Sequence, residues 1–175
     1  MKLETLEDGI VHLEYLINHP KKDNSYVIVP ETIVNYVDRF ECDLDYCEKN
    51  NIKVTQLSRK GSTFVFNKGD LVFLHCGEND HFGIKWRQYL KNKLISKGLN
   101  AFLDNNDLLI DGYKSLGDTE LKSIYICCIA IKNNPELIEN ICLKPINKIP
   151  RGLEYYNIST EEVEKWYLDF IFYFK

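Results

Sequence analysis

A single lysine beside a tight turn carries the clearest chemical signal in this sequence. Lys114 closely follows the pair Asp111-Gly112, and a short apolar run precedes that pair. Asp and Gly both tolerate the positive φ of a two-residue hairpin turn, so the pattern predicts a strand over residues 107–110, a hairpin, and a return strand that carries Lys114. A cation fixed on a strand can stabilise negative charge that develops on carbonyl or phosphate oxygens. The alternative is a solvated lysine on an ordinary hairpin.

A second basic segment lies well before that lysine in the chain. It consists of Arg59, Lys60, Gly61, Ser62 and Thr63. An arginine can bind a phosphate or a carboxylate through two parallel hydrogen bonds, and small residues allow backbone N–H groups to face an anion. The segment therefore indicates an anion-binding loop or, in a simpler interpretation, a basic connection between two strands.

Six cysteines are present, and none of them forms a Cys-x-x-Cys pair. Cys142 is a candidate nucleophile if Lys114 lowers the pKa of its thiol, and a buried cysteine on a short helix is the alternative. Cys127 and Cys128 are adjacent in a predicted strand, and both are expected in the core. The histidines and cysteines supply no fourth ligand at a recognisable spacing, so no metal site is predicted.

Composition limits the classes of protein to which the chain can belong. With 175 residues, of which 45% are hydrophobic and 27% charged, one globular domain is expected over residues 1–175. A formal net charge of −4 argues against a nucleic-acid-binding protein, which needs clustered Lys and Arg. No apolar run approaches the roughly 20 residues that cross a bilayer, so no membrane association is expected. The acidic, amphipathic start is unlike a signal peptide, and a cytoplasmic location is expected.

Hydrophobic periodicity and turn residues predict the elements that position these side chains. An apolar stripe from Leu3 to Ile17 predicts a helix, and Ser159 with Glu162 forms a capping-box pattern at the start of an apolar final helix. Further helices are predicted over residues 31–38, 44–50, 82–94 and 136–143. Strands are predicted over residues 25–29, 52–57, 64–66, 71–74, 100–103, 107–110 and 122–131, with residues 71–74 returning from a turn at 67–70. The sum is a single α+β domain in which a mostly antiparallel or mixed sheet is covered by helices.

Residues 106–117 also resemble a stretch of the biotin/lipoate-protein ligase family. In that family, the pattern Asn-Asp-apolar-apolar-x-x-Gly-x-Lys-x-x-Gly carries the lysine that handles the activated acyl group. The basic segment is similar, without gaps, to the Arg-Gly-Gly-x-x-Thr-Tyr-His-x-Pro-Gly-Gln-Leu segment of octanoyl-carrier transferases. The matching residues are Arg59, Gly61, Gly69 and Leu71. The resemblance extends from about residue 38 to the last helix.

This resemblance implies a fold like that of the ligases. It also implies an enzyme that attaches a lipoyl, octanoyl or similar acyl group to a lysine of a lipoyl-carrier domain. Lys114 would be the catalytic lysine. The substrate-binding residues would be Arg59, Lys60, Gly61, Ser62, Thr63, Gly69, Asp70, Asn106, Asp107 and Gly117. A reaction that starts from free lipoate or octanoate would need ATP and Mg²⁺, which Asp107 could help to bind, although a turn before the hairpin explains Asp107 equally well. A reaction that starts from an acyl carrier protein would need neither, and Cys142 could then carry the acyl group.

Departures from the family pattern keep a second hypothesis open. Lys60, Ser62 and Thr63 lie at or near the positions of the ligases' triple glycine, and Phe66 replaces the transferase histidine. The Pro-Cys-Gly motif of the transferases is not reproduced around Cys142, and the accessory C-terminal domain of lipoate ligases is expected to be absent. The alternative is therefore a catalytically inactive family member that acts as a binding or interaction module. An unrelated α+β domain is the third interpretation.

Overall fold

The chain folds into two β-sheets that are flanked by helices. The structure is a computed structural model that describes residues 1–36, 38–56, 64–77, 81–105, 107–121, 123–133, 135–144, 148 and 150–173. The helices of these residues are α1 (Leu6–Asn18), α2 (Leu44–Lys49), α3 (Phe82–Ser96), α4 (Pro135–Ile141) and α5 (Thr160–Tyr173). The strands are β1 (Lys2–Leu3), β2 (Asp23–Ile28), β3 (Ile33–Tyr36), β4 (Lys53–Gln56), β5 (Phe64–Phe66), β6 (Leu71–Cys76), β7 (Ala101–Asp104), β8 (Asp107–Ile110), β9 (Tyr113–Leu121) and β10 (Ile124–Ile129).

The larger sheet contains seven strands in the order β1-β2-β6-β10-β9-β8-β7. Its strands pair in antiparallel fashion, apart from the parallel pair of β1 with β2. The smaller sheet has the order β4-β3-β5, with β3 parallel to β4 and antiparallel to β5. The predicted α+β fold with a mixed sheet covered by helices is therefore confirmed.

One face of the larger sheet is filled by α3 and α5. Phe73 of β6 stacks on Tyr167 of α5 at a centroid distance of 4.4 Å, and it meets Trp86 of α3 edge-on at 5.2 Å. All three side chains are completely buried. Offset-stacked and edge-to-face pairs are the favourable arrangements of aromatic rings, so this face is a close-packed core.

The opposite face is covered by α1 and the smaller sheet. Leu6 of α1 packs with Val27 of β2 and Ile33 of β3, and Leu16 packs with Cys76 at the end of β6. α1 begins at Leu6 because Thr5 forms a capping box, in which its hydroxyl accepts from the Asp8 N–H and the Asp8 carboxylate accepts from the Thr5 N–H.

Three predictions about these elements were wrong in detail. Residues 31–38 were expected to be helical, but Ile33–Tyr36 is strand β3, because β4 and β5 pair with its two edges and tertiary pairing outweighs local spacing. Residues 64–74 do not form a hairpin, since the turn at 67–70 leads from β5 in the smaller sheet to β6 in the larger one. Leu3 lies in β1 and not in the first helix.

No helix in the described part of the chain is both long enough and apolar enough to cross a membrane.

Candidate functional site

The hairpin that carries Lys114 forms as the sequence predicts. Asp111 and Gly112 have φ values of +52° and +85°, which are the positive values that a tight two-residue turn requires. Lys114 pairs with Leu109 across β8 and β9, next to a register shift in β8. On its other side, the carbonyl oxygen of Lys114 accepts a hydrogen bond of 2.9 Å from the backbone N–H of Arg151. The backbone of this lysine is therefore fixed from both sides.

The side chain of Lys114 belongs to a small charge network. Its Nζ lies 2.6 Å from Oδ1 of Asp107, and Nζ of Lys148 lies 2.8 Å from Oδ2 of the same carboxylate. Lys148 also lies 2.8 Å from Oδ2 of Asp104. Burial raises the pKa of Asp107, but hydrogen bonds from the two lysines outweigh it, so the net pKa lies below the usual range. Asp107 is thus a carboxylate that holds two ammonium groups.

Both lysines line a second cavity with a volume of about 220 Å³, which we call the polar cavity because charged and amide side chains line it beside apolar ones. Other residues that line it include Asp70, Asn133, Gly117, Cys128 and Cys142. The cavity lies over the β9–β10 part of the larger sheet and reaches the end of α4. It brings together residues that are far apart in the sequence and that sequence reasoning had partly singled out.

An apolar cavity of about 260 Å³ lies beside it, between α1 and the open face of the larger sheet. Its walls include Leu6, Ile10 and Leu13 of α1 with Val72 and Ile126 of the sheet. The two cavities share lining residues, namely Phe64, Gly117 and Cys128. An apolar cavity thus lies next to a cavity that two lysines line. This arrangement suits a ligand with an apolar body and an anionic end.

Gly117 is well placed at the junction of the two cavities. A Cβ atom built at this position would lie 3.5 Å from Cε of Lys114, which is ordinary contact. A larger side chain at this position would occupy space that now belongs to the two cavities.

Cys128 and Cys127 face opposite sides of strand β10. Cys127 is completely buried in the aromatic core, as predicted. Cys128 is only partly buried and lines both cavities, so the expectation that it is a core residue was wrong. The alternation of side chains along a strand explains the difference.

Cys142 lies at the end of α4 and lines the polar cavity together with Lys114. Burial raises the pKa of its thiol, and the nearby Cys47 and Glu41 raise it further. Activation was expected to require that Lys114 lower this pKa, and that condition is not met. A raised thiol pKa decreases the thiolate fraction, which is the nucleophilic form.

Asp70 and its neighbours form a rigid wall of the polar cavity. Oδ1 of Asp70 accepts 2.8 Å and 3.2 Å hydrogen bonds from the N–H groups of Ile131 and Lys132, and Oδ2 accepts one of 2.8 Å from Asn67. The Asn67 amide in turn donates to Oδ1 of Asn133 at 3.3 Å. Asp70 thus fixes three backbone N–H groups, and it also lines the polar cavity.

Gly69, also predicted to bind substrate, lies in the turn at residues 67–70. Its φ of +93° is in the region that favours glycine, and its carbonyl accepts a 2.7 Å hydrogen bond from the Thr160 hydroxyl. The predicted positions Arg59, Lys60, Gly61, Ser62, Thr63 and Asn106 lie outside the described residues.

Solved structures with a similar fold include lipoate-protein ligases. A bi-partite lipoate protein ligase from Thermoplasma acidophilum, described with its E2 lipoyl domain, has a TM-score of 0.73 at 17% identity, over 95% of this chain and 79% of that chain. The chain has the lipoate-protein ligase fold. P. falciparum LipL1 in complex with lipoate has a TM-score of 0.76 at 12% identity, over 99% of this chain and 60% of that chain. Lipoate-protein ligase A bound with ATP has a TM-score of 0.72 at 16% identity, over 95% of this chain and 80% of that one.

The likeness at these identities is one of fold, and it confirms the resemblance that the sequence indicated. No protein-family model and no curated protein sequence matches the chain.

Two residues of the site were not found by sequence reasoning. Lys148 and Asn133 both line the cavity that Lys114 lines. Asn133 lies shortly before Pro135, and the sequence around it predicts only the start of a helix. Lys148 has no local signal, since only the fold brings it to Asp107.

Proposed function

We propose that the protein attaches a lipoyl- or octanoyl-type acyl group to a lysine of a carrier domain. The observation that carries this proposal is the apolar cavity that adjoins the cavity of Lys114, a lysine fixed between β8 and Arg151, within a lipoate-protein ligase fold. A medium-length acyl chain would lie in the apolar cavity. Its carboxyl carbon would then lie at the junction beside Gly117.

Lys114 would act on the oxygens of the reacting carboxyl group. When the ε-amine of the carrier lysine attacks the acyl carbon, negative charge develops on the carbonyl oxygen and on the leaving group. A donor that is already in place stabilises this charge without reorganisation, and removing one such donor typically costs about 10²–10³ in rate. Asp107 would keep the ammonium group in position through its 2.6 Å contact.

ATP, with Mg²⁺, would activate the free carboxyl group as an adenylate with release of pyrophosphate, and the carrier lysine would then displace AMP to form an amide. The polar cavity fits an anionic co-substrate, because Lys114 and Lys148 both face it. The neighbours bound to lipoate, bound to ATP or described with an E2 lipoyl domain support lipoate, ATP and a lipoyl domain as substrates and partner of this chain.

A thioester route is the second candidate, and one observation favours it. Cys142 lines the same polar cavity as Lys114, so an acyl group could pass from an acyl carrier protein to its sulfur and from there to the carrier lysine. The raised pKa of this thiol counts against that route, because the thiolate is the nucleophile. We therefore place the ATP-dependent route first.

Intact-mass spectrometry of a lipoyl-carrier domain tests the proposal. The domain would be incubated with the protein and either lipoate or octanoate with Mg·ATP, or octanoyl-acyl carrier protein without ATP. We expect one acyl mass to be added with Mg·ATP, and the rate to fall by about 10²–10³ in Lys114→Ala. Lys132→Ala is the matched control, because Lys132 is exposed and pairs with Glu154 outside the site.

Two other outcomes of this assay would favour the thioester route or the inactive binding module. Acylation without ATP that is lost in Cys142→Ser would establish the thioester route. No added mass with any donor, from protein with a cooperative unfolding transition, would favour the inactive binding module.

A further inference from the structure

The carboxylate of Asp107 binds two lysines, Lys114 and Lys148, and so places Lys148 beside Lys114. Lys114 and Lys148 bind different oxygens of the carboxylate, at 2.6 Å and 2.8 Å. Their side chains are 34% and 32% exposed, so each ammonium group is partly open. The polar cavity is lined by both lysines, while Asp107 stands behind them.

Each ammonium group keeps hydrogen-bonding capacity for a ligand. A lysine has three N–H donors and no acceptor. With the described residues, Lys148 uses two of them, on Asp104 and Asp107, and Lys114 uses one, on Asp107. The remaining donors can therefore be shared with an anion that enters the cavity.

Asn133 also lines this cavity, and it has an amide donor that no described residue uses. Its Oδ1 accepts from Asn67, which fixes the orientation of the amide. Its Nδ2 is buried and has no hydrogen-bond partner among the described residues. A buried donor without a partner costs free energy, and a ligand oxygen that reached this atom would remove that cost.

We propose that Lys148 and Asn133 bind the carboxyl group of the acyl substrate, together with Lys114. The three donors would surround a two-oxygen anion at the point where the apolar cavity meets the polar one. Lys148 and Asn133 are thus specificity-determining residues that select a chain with an anionic end over an equally long neutral chain. This assignment rests on the proposed function, because it takes the apolar cavity as the place of the acyl chain.

Calorimetric binding of octanoate and octanamide tests this assignment. The two ligands have the same chain and nearly the same shape, but octanamide carries no charge. We expect Lys148→Met to weaken octanoate binding about tenfold, the value of one hydrogen bond to a charged group, and to leave octanamide binding within about twofold. Lys148→Arg should keep most of the preference. Lys132→Met is the matched control and should change neither affinity.

Asn133→Asp tests the third donor, because aspartate keeps the acceptor for Asn67 and removes the Nδ2 donor. We expect it to weaken octanoate binding at least as much as Lys148→Met does, without a loss for octanamide. A purely structural role for either residue would change both ligands equally.

Three results would overturn the assignment. These are an octanoate preference that survives Lys148→Met, a wild-type protein that binds the two ligands equally or binds neither, and a Lys148→Met variant in which only inorganic pyrophosphate binding falls. The last result would show that Lys148 binds a phosphate group and not the carboxyl group of the acyl substrate. The acylation assay decides separately on the proposed function, since a charge preference without acylation would leave a binding site that has no activity.

Discussion

The two faces of the seven-stranded sheet differ in how completely they are filled. On the face of α3 and α5, the rings of Phe73, Trp86 and Tyr167 are fully buried and in mutual contact. On the face of α1, a cavity of about 260 Å³ remains between Leu13 and Ile126. The same strands supply both faces. Stability is thus concentrated on one side, while the other side keeps space for a ligand beside Lys114.

Truncation on the filled face should have the largest effect. Trp86→Ala removes a side chain that is fully buried among aromatic rings, and we expect it to lower the free energy of unfolding by about 3–5 kcal/mol. Ile126→Ala borders the existing cavity, so it should cost at least about 2 kcal/mol less. Urea unfolding of both variants measures this difference. Equal losses would contradict the contrast between the two faces.

Protonation of His75 on the filled face should lower the free energy of unfolding in acid. This side chain is 6% exposed and stacks on Phe82 at 3.6 Å, and burial lowers its pKa to about 4, with Lys22 adding to the effect and Asp23 opposing it. In the unfolded chain the His75 imidazole binds a proton at about pH 6.5, whereas in the folded chain it does so only near pH 4. The stability that comes from burying the neutral imidazole is therefore present above pH 6.5 and is lost as the pH falls toward 4. The loss should reach at most about 3 kcal/mol.

The difference in stability between the wild type and His75→Gln isolates this effect. Burial raises the pKa of Asp70, so Asp70 titrates in the opposite sense in both proteins and cancels in the difference. A difference that does not change between pH 7 and pH 4.5 would show that His75 is not held neutral.

Variants of the adjacent residues Cys127 and Cys128 should differ in stability and in octanoate binding, because the two side chains face opposite sides of the sheet. Cys127→Leu overfills the core, and we expect it to cost about 1–3 kcal/mol. Cys128→Leu extends into the cavities and should cost less than about 1 kcal/mol, because space is available. Octanoate binding should show the reverse order, with the larger loss in Cys128→Leu. Thermal unfolding and calorimetry measure the two quantities on the same samples.

The smallest expected effect is a gain in stability on the open face. Gly9 lies inside α1, and a Cβ atom there would meet Cγ2 of Val27 at 3.4 Å, which is an ordinary contact. Gly9→Ala should therefore stabilise the protein by about 0.5–1 kcal/mol through helix propensity. A loss of stability in urea unfolding would show that α1 is packed more tightly against β2 than these distances indicate.

Local signals in the sequence predicted the elements that depend on few residues. The Asp111-Gly112 turn was predictable because its backbone conformation is set by those two residues. The start of α5 was predictable as well, since Ser159 accepts a hydrogen bond from the N–H of Glu162. Strand β3 was not predictable, because its four residues become a strand only through pairing with β4 and β5.

In the candidate site too, the residues of one local motif were predictable and those that depend on the tertiary fold were not. Lys114 and Asp107 lie on one hairpin, so a local motif contains both of them. The contribution of Lys148 depends on the tertiary fold, and that of Asn133 depends on its hydrogen bond with Asn67. No pattern within a short window of sequence contains these contacts. Gly117 and Cys128 likewise come to line both cavities only once β9 and β10 have paired.

Photolabelling with an octanoic acid that carries a terminal diazirine tests most directly whether the open face is the substrate face. The account predicts that the label is found on peptides of α1 and β10 that border the apolar cavity, with Leu13 and Ile126 as expected positions. Excess octanoate should suppress this labelling, and Cys128→Leu should reduce it. Label confined to the outer surface of α3 or α5, or label that octanoate does not displace, would contradict the account.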